Sequence, residues 1–402
     1  MNKLIQGSSW LLLSSYITVL FSAIIAIVNG KILSAEDFGI ISIAMIFVNV
    51  LDSLKQFGFK EYLIAREQDE TFEENVQNAW TLEIIKGSML SLACFISIPY
   101  MADLYDESRI QFVIAVFSIS FIIDSLSSPA LFELRKGLRY KELLKLNLYV
   151  NLVYFISSIF LVYYFKSYHG VVISFLVRTI AATFLSYYFC PKRPTFYFDF
   201  KITKQQLKYG IWILGSGLLF YFTNRFDNLI LSLNVPLKDL GYYAFAFSVV
   251  NGVLGGPIKS INNALFPILS RNIREYDPLR LAIYMSVISL TLCVLFYNLL
   301  PWAVVTLIDE KWLPSIDTIG FLVISFCINA VKVDGFFMAS GKTKNKFIIE
   351  FVRAVIIVSL CFPLVERFGI EGAAISMIIA NLVSLLVWFG FIIKMRLYGC
   401  FE

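Results

Sequence analysis

Apolar residues in this chain run continuously and do not alternate with polar ones. Stretches of about twenty apolar residues follow one another from Trp10 almost to the C-terminus, and a run of roughly that length crosses a bilayer core as a helix. Strands of a barrel would instead alternate every second residue over segments of about ten. The polar residues gather in short connectors. Reading between them predicts about twelve spanning helices, over residues 9–30, 38–59, 80–101, 110–131, 146–165, 170–189, 209–233, 240–266, 281–308, 316–339, 347–365 and 370–393. The expected class is therefore an all-α polytopic membrane protein. No small-residue cleavage pattern follows the first run, so it reads as a retained helix and not as a signal peptide.

The connectors are of two kinds. Those after the odd-numbered helices carry six cations: Lys31, Arg109, Lys166, Lys238, Lys311 and Arg367. Those on the opposite side, with the two ends of the chain, carry 21, including Arg135, Lys136, Arg139, Lys141 and Lys145 after helix 4 and Lys192, Arg193, Lys201, Lys204 and Lys208 after helix 6. Cationic segments translocate poorly, so the rich side and both termini are expected in the cytoplasm. The same bias accounts for the net charge of +5, with anionic lipid as an aid and no call for nucleic acid.

Sliding the chain by 202 residues lays Trp10 on Trp212, Leu12 on Leu214 and Ser14 on Ser216. Asp37 and Gly39 fall on Asp239 and Gly241, and Ala44, Val48 and Asn49 on Ala246, Val250 and Asn251. A repeat of six helices is even, so both halves have one orientation, with a pseudo-twofold axis along the membrane normal. Two six-helix lobes are expected, residues 1–205 and 206–402, with a central cavity between them.

Composition sharpens this picture. The chain is 58% hydrophobic and 16% charged, with a mean hydropathy of +0.74, against about 25% charged in soluble proteins. Beyond the first two positions of each span, thirteen charges still fall inside the expected spans: Lys55, Lys86, Arg178, Arg225, Lys259, Lys332, Arg353, Asp52, Glu83, Asp124, Asp227, Asp334 and Glu350. Each costs roughly 2.5–3.5 kcal/mol at a helix centre on insertion scales. The deep ones must therefore face the bundle or a wet cavity. Asp52–Lys55, Glu83–Lys86 and Glu350–Arg353 are spaced i, i+3 and can neutralise each other along one helix face. Arg225 and Asp227, two residues apart, cannot; Asp227 is expected to pair with another helix. Tyr221, Asn224, Arg225, Asn228 and Ser232 form a polar stripe on helix 7, and Asn49, Asp52, Ser53 and Gln56 form one on helix 2. Helix 10 adds Ser325, Asn329 and Lys332.

These stripes suggest a water-filled, net cationic cavity. Its candidate substrate-binding cations are Arg225, Lys55, Lys86, Arg178, Lys259 and Lys332. Asp52, Asp124, Asp227, Asn224, Asn228 and Asn49 are its polar or ion-coupling members. Guanidinium and ammonium groups suit a phosphate-bearing ligand. Gly255-Gly256-Pro257 predicts a kink in helix 8 and a candidate hinge.

Enzyme chemistry is nearly absent from the sequence. His169 is the single histidine and falls in a connector, which leaves no His-based triad or zinc set. Cys94, Cys190, Cys293, Cys327, Cys361 and Cys400 are scattered, without a CxxC pair, and read as buried thiols. Gly341-Lys342-Thr343 mimics the tail of a P-loop, but the upstream glycine, Gly335, is one residue too far and no strand precedes it. Catalytic residues, metal and organic cofactor are not expected.

Several segments, in order along the chain, resemble polysaccharide exporters. Asp227-Asn228-Leu229-Ile230, Leu240-Gly241-Tyr242-Tyr243 and Phe266-Pro267-Ile268-Leu269-Ser270-Arg271 are similar to the D-N-L-L-I-G, L-G-x-Y and F-P-x-L-S-R signatures of that group. Gln56-Phe57-Gly58-Phe59 with Leu63-Ile64-Ala65-Arg66, the loop Leu134-Arg135-Lys136-Gly137-Leu138-Arg139-Tyr140, and Gly369-Ile370-Glu371-Gly372-Ala373-Ala374 resemble further stretches of it. The chain thus resembles a Wzx-type oligosaccharide flippase of the multidrug/oligosaccharidyl-lipid/polysaccharide exporter superfamily. One departure is Leu231-Ser232 where the group has glycine. The two additional helices of lipid II flippases are also missing.

The resemblance implies alternating access by two lobes. It implies that an undecaprenyl-pyrophosphate-linked oligosaccharide crosses the bacterial cytoplasmic (inner) membrane for O-antigen, capsule or exopolysaccharide. It also implies coupling to a proton or sodium ion, and a polysaccharide polymerase and chain-length proteins as partners. A multidrug or small-solute antiporter of the same superfamily has the same plan and is the alternative. A polysaccharide polymerase or ligase fits less well, because every outside connector is short.

Overall fold

A computed structural model gives the structure of the protein and describes residues 17–18, 20–55, 57–65, 70–136, 140–189, 192, 194–255, 258, 277–333, 336–337, 340 and 342–397. Among the described residues the chain is helical, without strands. The helices are α1 (Leu20–Ile32), α2 (Ala35–Lys55), α3 (Phe59–Ala65), α4 (Phe72–Tyr105), α5 (Ile110–Ser125), α6 (Ala130–Lys136), α7 (Tyr140–Phe165), α8 (Tyr168–Phe189), α9 (Phe200–Asn234), α10 (Leu237–Val250), α11 (Pro278–Ala303), α12 (Ile316–Val331) and α13 (Thr343–Leu397). Seven described helices are long and apolar enough to cross a membrane. The protein is a multi-pass helical membrane protein.

Several expected spans end early or run on, for local reasons. The expected helix over 38–59 stops at Lys55, and Gly58, at φ 79°, turns the chain into α3. Only glycine adopts such a backbone freely. The expected helix over 110–131 stops at Ser125, and Ser128 and Pro129 precede α6. α13 joins the last two expected helices across Gly369, whose φ of 57° and ψ of −133° break the helical path. α11 starts where Asp277 accepts from the Leu279 N–H at 3.0 Å and Pro278 takes a first-turn position that needs no donor. Beyond Val250 the chain widens into a π-helical turn, Asn251–Gly255, the kind of irregularity that bends a helix. Gly255 closes that turn; Gly256, Pro257 and Lys259 lie outside the described residues.

The contacts divide the chain into two compact units. One holds Met1–Ile25 and Ile40–Tyr221, the other Ala26–Gly39 and Phe222–Glu402. In the first, α4 packs on α5, α5 on α8 and α7 on α8. In the second, α11 packs on α12, and α12 on α10 and α13. Each unit turns apolar side chains outward: Met89, Leu92, Phe95 and Ile96 of α4, and Ile283, Val287, Leu290 and Val294 of α11, are all exposed. Such bands are at home against lipid tails, not water.

Close helix approaches recur at the 202-residue spacing. In the first unit a Cβ on Gly87 would meet Ser125 Cβ at 2.4 Å. In the second, Ser289 donates to the Cys327 carbonyl, 202 residues further on at both ends. Gly170 sits 2.6 Å from the Val162 backbone, counted from its missing Cβ, and Gly372 sits 2.1 Å from the Leu364 carbonyl oxygen. Within the second unit the start of α2 crosses the start of α10. There a Cβ on Gly39 would fall 2.2 Å from the Leu237 oxygen, and one on Gly241 would fall 1.7 Å from the Ala35 oxygen. Residue 237 is the counterpart of 35 and 241 that of 39, so the contact is self-reciprocal, as at an isologous interface.

Candidate functional site

The first unit gathers seven charges around two adjoining cavities, of about 420 and 500 Å³: Asp52, Lys55, Asp124 and Arg178 line the smaller, and Asp52, Lys55, Asp124, Lys60, Glu61 and Glu83 the larger. Of the expected polar stripe on α2, Asn49 and Asp52 line the smaller cavity together with Lys55, and Asp52 and Lys55 also line the larger; Ser53 lines neither, donating instead to the Asn49 carbonyl, and Gln56 lies outside the described residues. Asp124, in the last turn of α5, reaches both, and Arg178 of α8 lines the smaller. The helix periodicity of α2 puts residues 49, 52 and 53 on one face. The early end of α5 at Ser125 brings the carboxylate of Asp124 to the same level.

Lys55 is the hub of this cluster. Its ammonium lies 2.5 Å from an Asp124 oxygen and 3.4 Å from Asp52, and 5.6 Å from the centre of the Phe121 ring. The i, i+3 pairing expected for Asp52–Lys55 is therefore present, and a second carboxylate joins it from another helix. Lys86 makes the expected pair with Glu83 at 2.6 Å and also donates to the Lys55 carbonyl at 2.6 Å. It is not among the residues lining either cavity; Glu83 lines the larger one. Arg178 stacks its guanidinium over the Tyr154 ring at 5.3 Å. The smaller cavity therefore has two carboxylates, one ammonium and one guanidinium, a balanced lining and not a cationic one. Asn147, Ser120, Thr179, Phe117, Phe121 and Phe175 are also in its wall. Asn147 on α7 and Glu83 were outside the candidate set. Two amides one turn apart in an apolar helix, Asn147 and Asn151, were the available signal for the first.

The second unit treats its charges differently. Asp227 is 2% exposed, and Tyr243 of α10 donates to it at 2.5 Å, with the Asn228 amide at 3.4 Å. Lys332, 1% exposed, donates to Ser384 at 2.8 Å across to α13. Arg353 pairs with Glu350 at 3.2 Å, the third i, i+3 pair expected. Arg225 is half-buried with its guanidinium over the Phe247 ring at 5.0 Å. The Asn224 side chain and Asp334 lie outside the described residues.

Polytopic helices around a polar, charge-lined cavity define the class as a membrane transporter. A family model described as "Polysaccharide biosynthesis protein" matches residues 28–317, and the chain belongs to that family. It is 19% identical to the lipopolysaccharide biosynthesis protein WzxC of Escherichia coli (strain K12), over 98% of this chain and 81% of that protein. It is 20% identical to the teichuronic acid biosynthesis protein TuaB of Bacillus subtilis (strain 168), over 80% and 68%. In fold it is similar to the lipid II flippase MurJ in an inward closed conformation, with a TM-score of 0.77 at 14% identity over 95% of this chain and 87% of that one. It is likewise similar to an inward-facing multidrug resistance MATE transporter, with a TM-score of 0.72 at 15% identity over 95% and 94%.

Proposed function

We infer that this chain is a flippase for a polyprenyl-pyrophosphate-linked oligosaccharide repeat unit, carrying it across the cytoplasmic membrane for a surface polysaccharide. The family match over residues 28–317 carries the reading. The names of its relatives and the MurJ-like fold support it. The intramembrane charges supply the physical motive, since a polar head group needs a polar path through hydrocarbon. The chain acts as a transporter and not as an enzyme. It works by alternating access of two parallel six-helix lobes, with both termini in the cytoplasm. It draws on a proton or sodium gradient and hands its cargo to a polymerase and chain-length proteins.

The test is complementation. The gene's own deletion strain is scored for surface polysaccharide while membrane protein is quantified. Wild type restores the polymer. Arg225→Ala loses export while the protein still accumulates, because a guanidinium offers a pyrophosphate bidentate donors; Arg225→Lys is impaired, because an ammonium does not. Failure of wild type to restore polymer, with extrusion of cationic dyes instead, replaces the flippase by the antiporter alternative. A cysteine at position 201 that reacts with an impermeant reagent from outside refutes the topology.

A further inference from the structure

Two cations of the first unit are already committed. Lys55 is held between Asp124 and Asp52, and Lys86 between Glu83 and a backbone carbonyl. The carboxylates are not used up. The Asp52 side chain is 51% exposed and that of Asp124 38% exposed, both at the cavity wall. A dianion entering here would meet one guanidinium, Arg178, beside two open carboxylates, and like charges at that range repel in a medium of low dielectric. A ligand rich in hydroxyl groups meets what it needs. It finds carboxylate oxygens that accept, amides of Asn49 and Asn147 that do both, Ser120 and Thr179 hydroxyls, and a guanidinium that donates. The Phe117, Phe121 and Phe175 rings line the same space and offer apolar surface to the C–H face of a sugar ring.

We propose that this cavity is a saccharide subsite, in which Asp52 and Asp124 accept hydrogen bonds from sugar hydroxyls or an amino-sugar ammonium, and that the pyrophosphate of the carrier is held elsewhere. This deepens the flippase reading and rests on it. Lys55 is a positioning residue here: it fixes the two carboxylates and leaves their outer oxygens to the ligand. A volume of about 420 Å³ falls within the ~300–1,000 Å³ of ordinary small-ligand sites.

The experiment uses the full chain in nanodiscs and three probes. These are the lipid-linked saccharide extracted from source cells, the free saccharide released from it by mild acid, and undecaprenyl pyrophosphate without sugar. Wild type is expected to bind the free saccharide. Asp124→Asn and Asp52→Asn should each weaken that binding about tenfold, the scale of one hydrogen bond to a charged group, and leave undecaprenyl pyrophosphate within about twofold. Asn147→Ala breaks no ion pair and should weaken the saccharide while the protein keeps its melting temperature; it serves if the aspartate variants fail to fold. Loss of undecaprenyl pyrophosphate in the aspartate variants overturns the proposal, and so does a wild type that ignores the free saccharide but binds the lipid-linked form. A wild type that binds none of the three probes overturns both the subsite and the flippase reading, whereas normal carrier binding with unaltered saccharide binding in every variant overturns the subsite alone.

Discussion

Shifted by 202 residues, the two units share their close packing and differ in their charges. Gly87 against Ser125 in one is Ser289 against Cys327 in the other. The intramembrane charges of the first unit do not repeat. Asp52, Lys55, Glu83, Lys86, Asp124 and Arg178 correspond to Leu254, Pro257, Met285, Ile288, Phe326 and Ala380. Leu254, Met285 and Ala380 are buried. Conversely Asp227 and Lys332 correspond to Ile25 and Ala130. At the 202-residue spacing, close helix–helix contacts thus recur while the intramembrane charges do not. One unit arranges charges around open space; the other buries Asp227 and Lys332, each against a hydrogen-bond partner, pairs Arg353 with Glu350 and lays Arg225 over a ring. Burial of a paired charge is weak evidence for a ligand and good evidence for specified packing, whereas a charge left half-exposed in a membrane cavity is available to one.

Swapping residues across the repeat should break this contrast most severely. Asp52→Leu gives the first unit the residue of its counterpart, and export is expected to fall at least tenfold with protein level unchanged. Leu254→Asp puts a carboxylate at a position that is 1% exposed, at a cost on the scale of roughly 2.5–3.5 kcal/mol, and the protein itself should be lost from the membrane. Quantitative immunoblots beside polymer measurements separate the two outcomes. An Asp52→Leu protein that exports normally would remove the cavity from the mechanism.

Next in size is the removal of one hydrogen-bond partner from each unit. Tyr243→Phe strips the hydroxyl from Asp227 and leaves a buried carboxylate short of a donor, a loss of about 1–3 kcal/mol. The melting temperature should drop, and export should follow protein abundance. Lys55→Met leaves Asp52 and Asp124 facing each other across the cavity, so export should fall further than abundance does. Equal ratios of export to protein in the two variants would erase the distinction between the units.

The scaffold they share comes third. Gly39→Ala and Gly241→Ala each press a methyl group onto a backbone carbonyl at the crossing of α2 and α10. Overpacking of this kind costs about 1–3 kcal/mol. The two sites share one contact, so the double variant should lose less than the sum of the singles. Thermal melts of the purified proteins give the coupling.

The contrast was partly legible in the sequence. The class comes from long-range hydropathy, which the bilayer imposes strongly, and identities such as Gly39 with Gly241 mark a close packing contact, whereas helix ends such as those at Lys55 and Ser125 did not show in the hydropathy. The i, i+3 pairs were legible because a helix fixes them locally. Asp124 on Lys55 and Tyr243 on Asp227 join different helices, and no periodicity within one helix encodes such a partner. The same holds for Asn147, whose place on the cavity wall depends on how α7, packed on α8, stands across the cavity from α2 and α5. The balanced lining was hidden for a related reason: counting cations and acids along the chain cannot say which cations are consumed by neighbouring acids.

The smallest effect belongs to the short connectors, where the units agree again. Glu107 accepts from the Arg109 backbone N–H at 3.1 Å, and its counterpart Asp309 accepts from the Lys311 N–H at 2.9 Å. The acid two residues before a base thus caps the same turn in both halves. Only the first adds a fork, with the Arg109 Nε and Nη2 donating to Glu107 at 2.8 and 2.6 Å. That side-chain bond holds the Glu107 carboxyl below the ordinary glutamate range, against a smaller opposing push from burial. A carboxyl whose folded value is depressed contributes stability that is fully present above the unfolded value, about 4.3, and is lost as pH falls through the folded one. The pair is partly exposed, so the contribution is about 0.2–1 kcal/mol at most. Glu107→Gln should therefore melt slightly below wild type at neutral pH, and the gap should close as the pH drops below ~4. Asp309→Asn, which keeps an oxygen for the backbone N–H, should show a smaller gap at neutral pH. A gap for Glu107→Gln that persists unchanged in acid would assign its role to packing and not to charge.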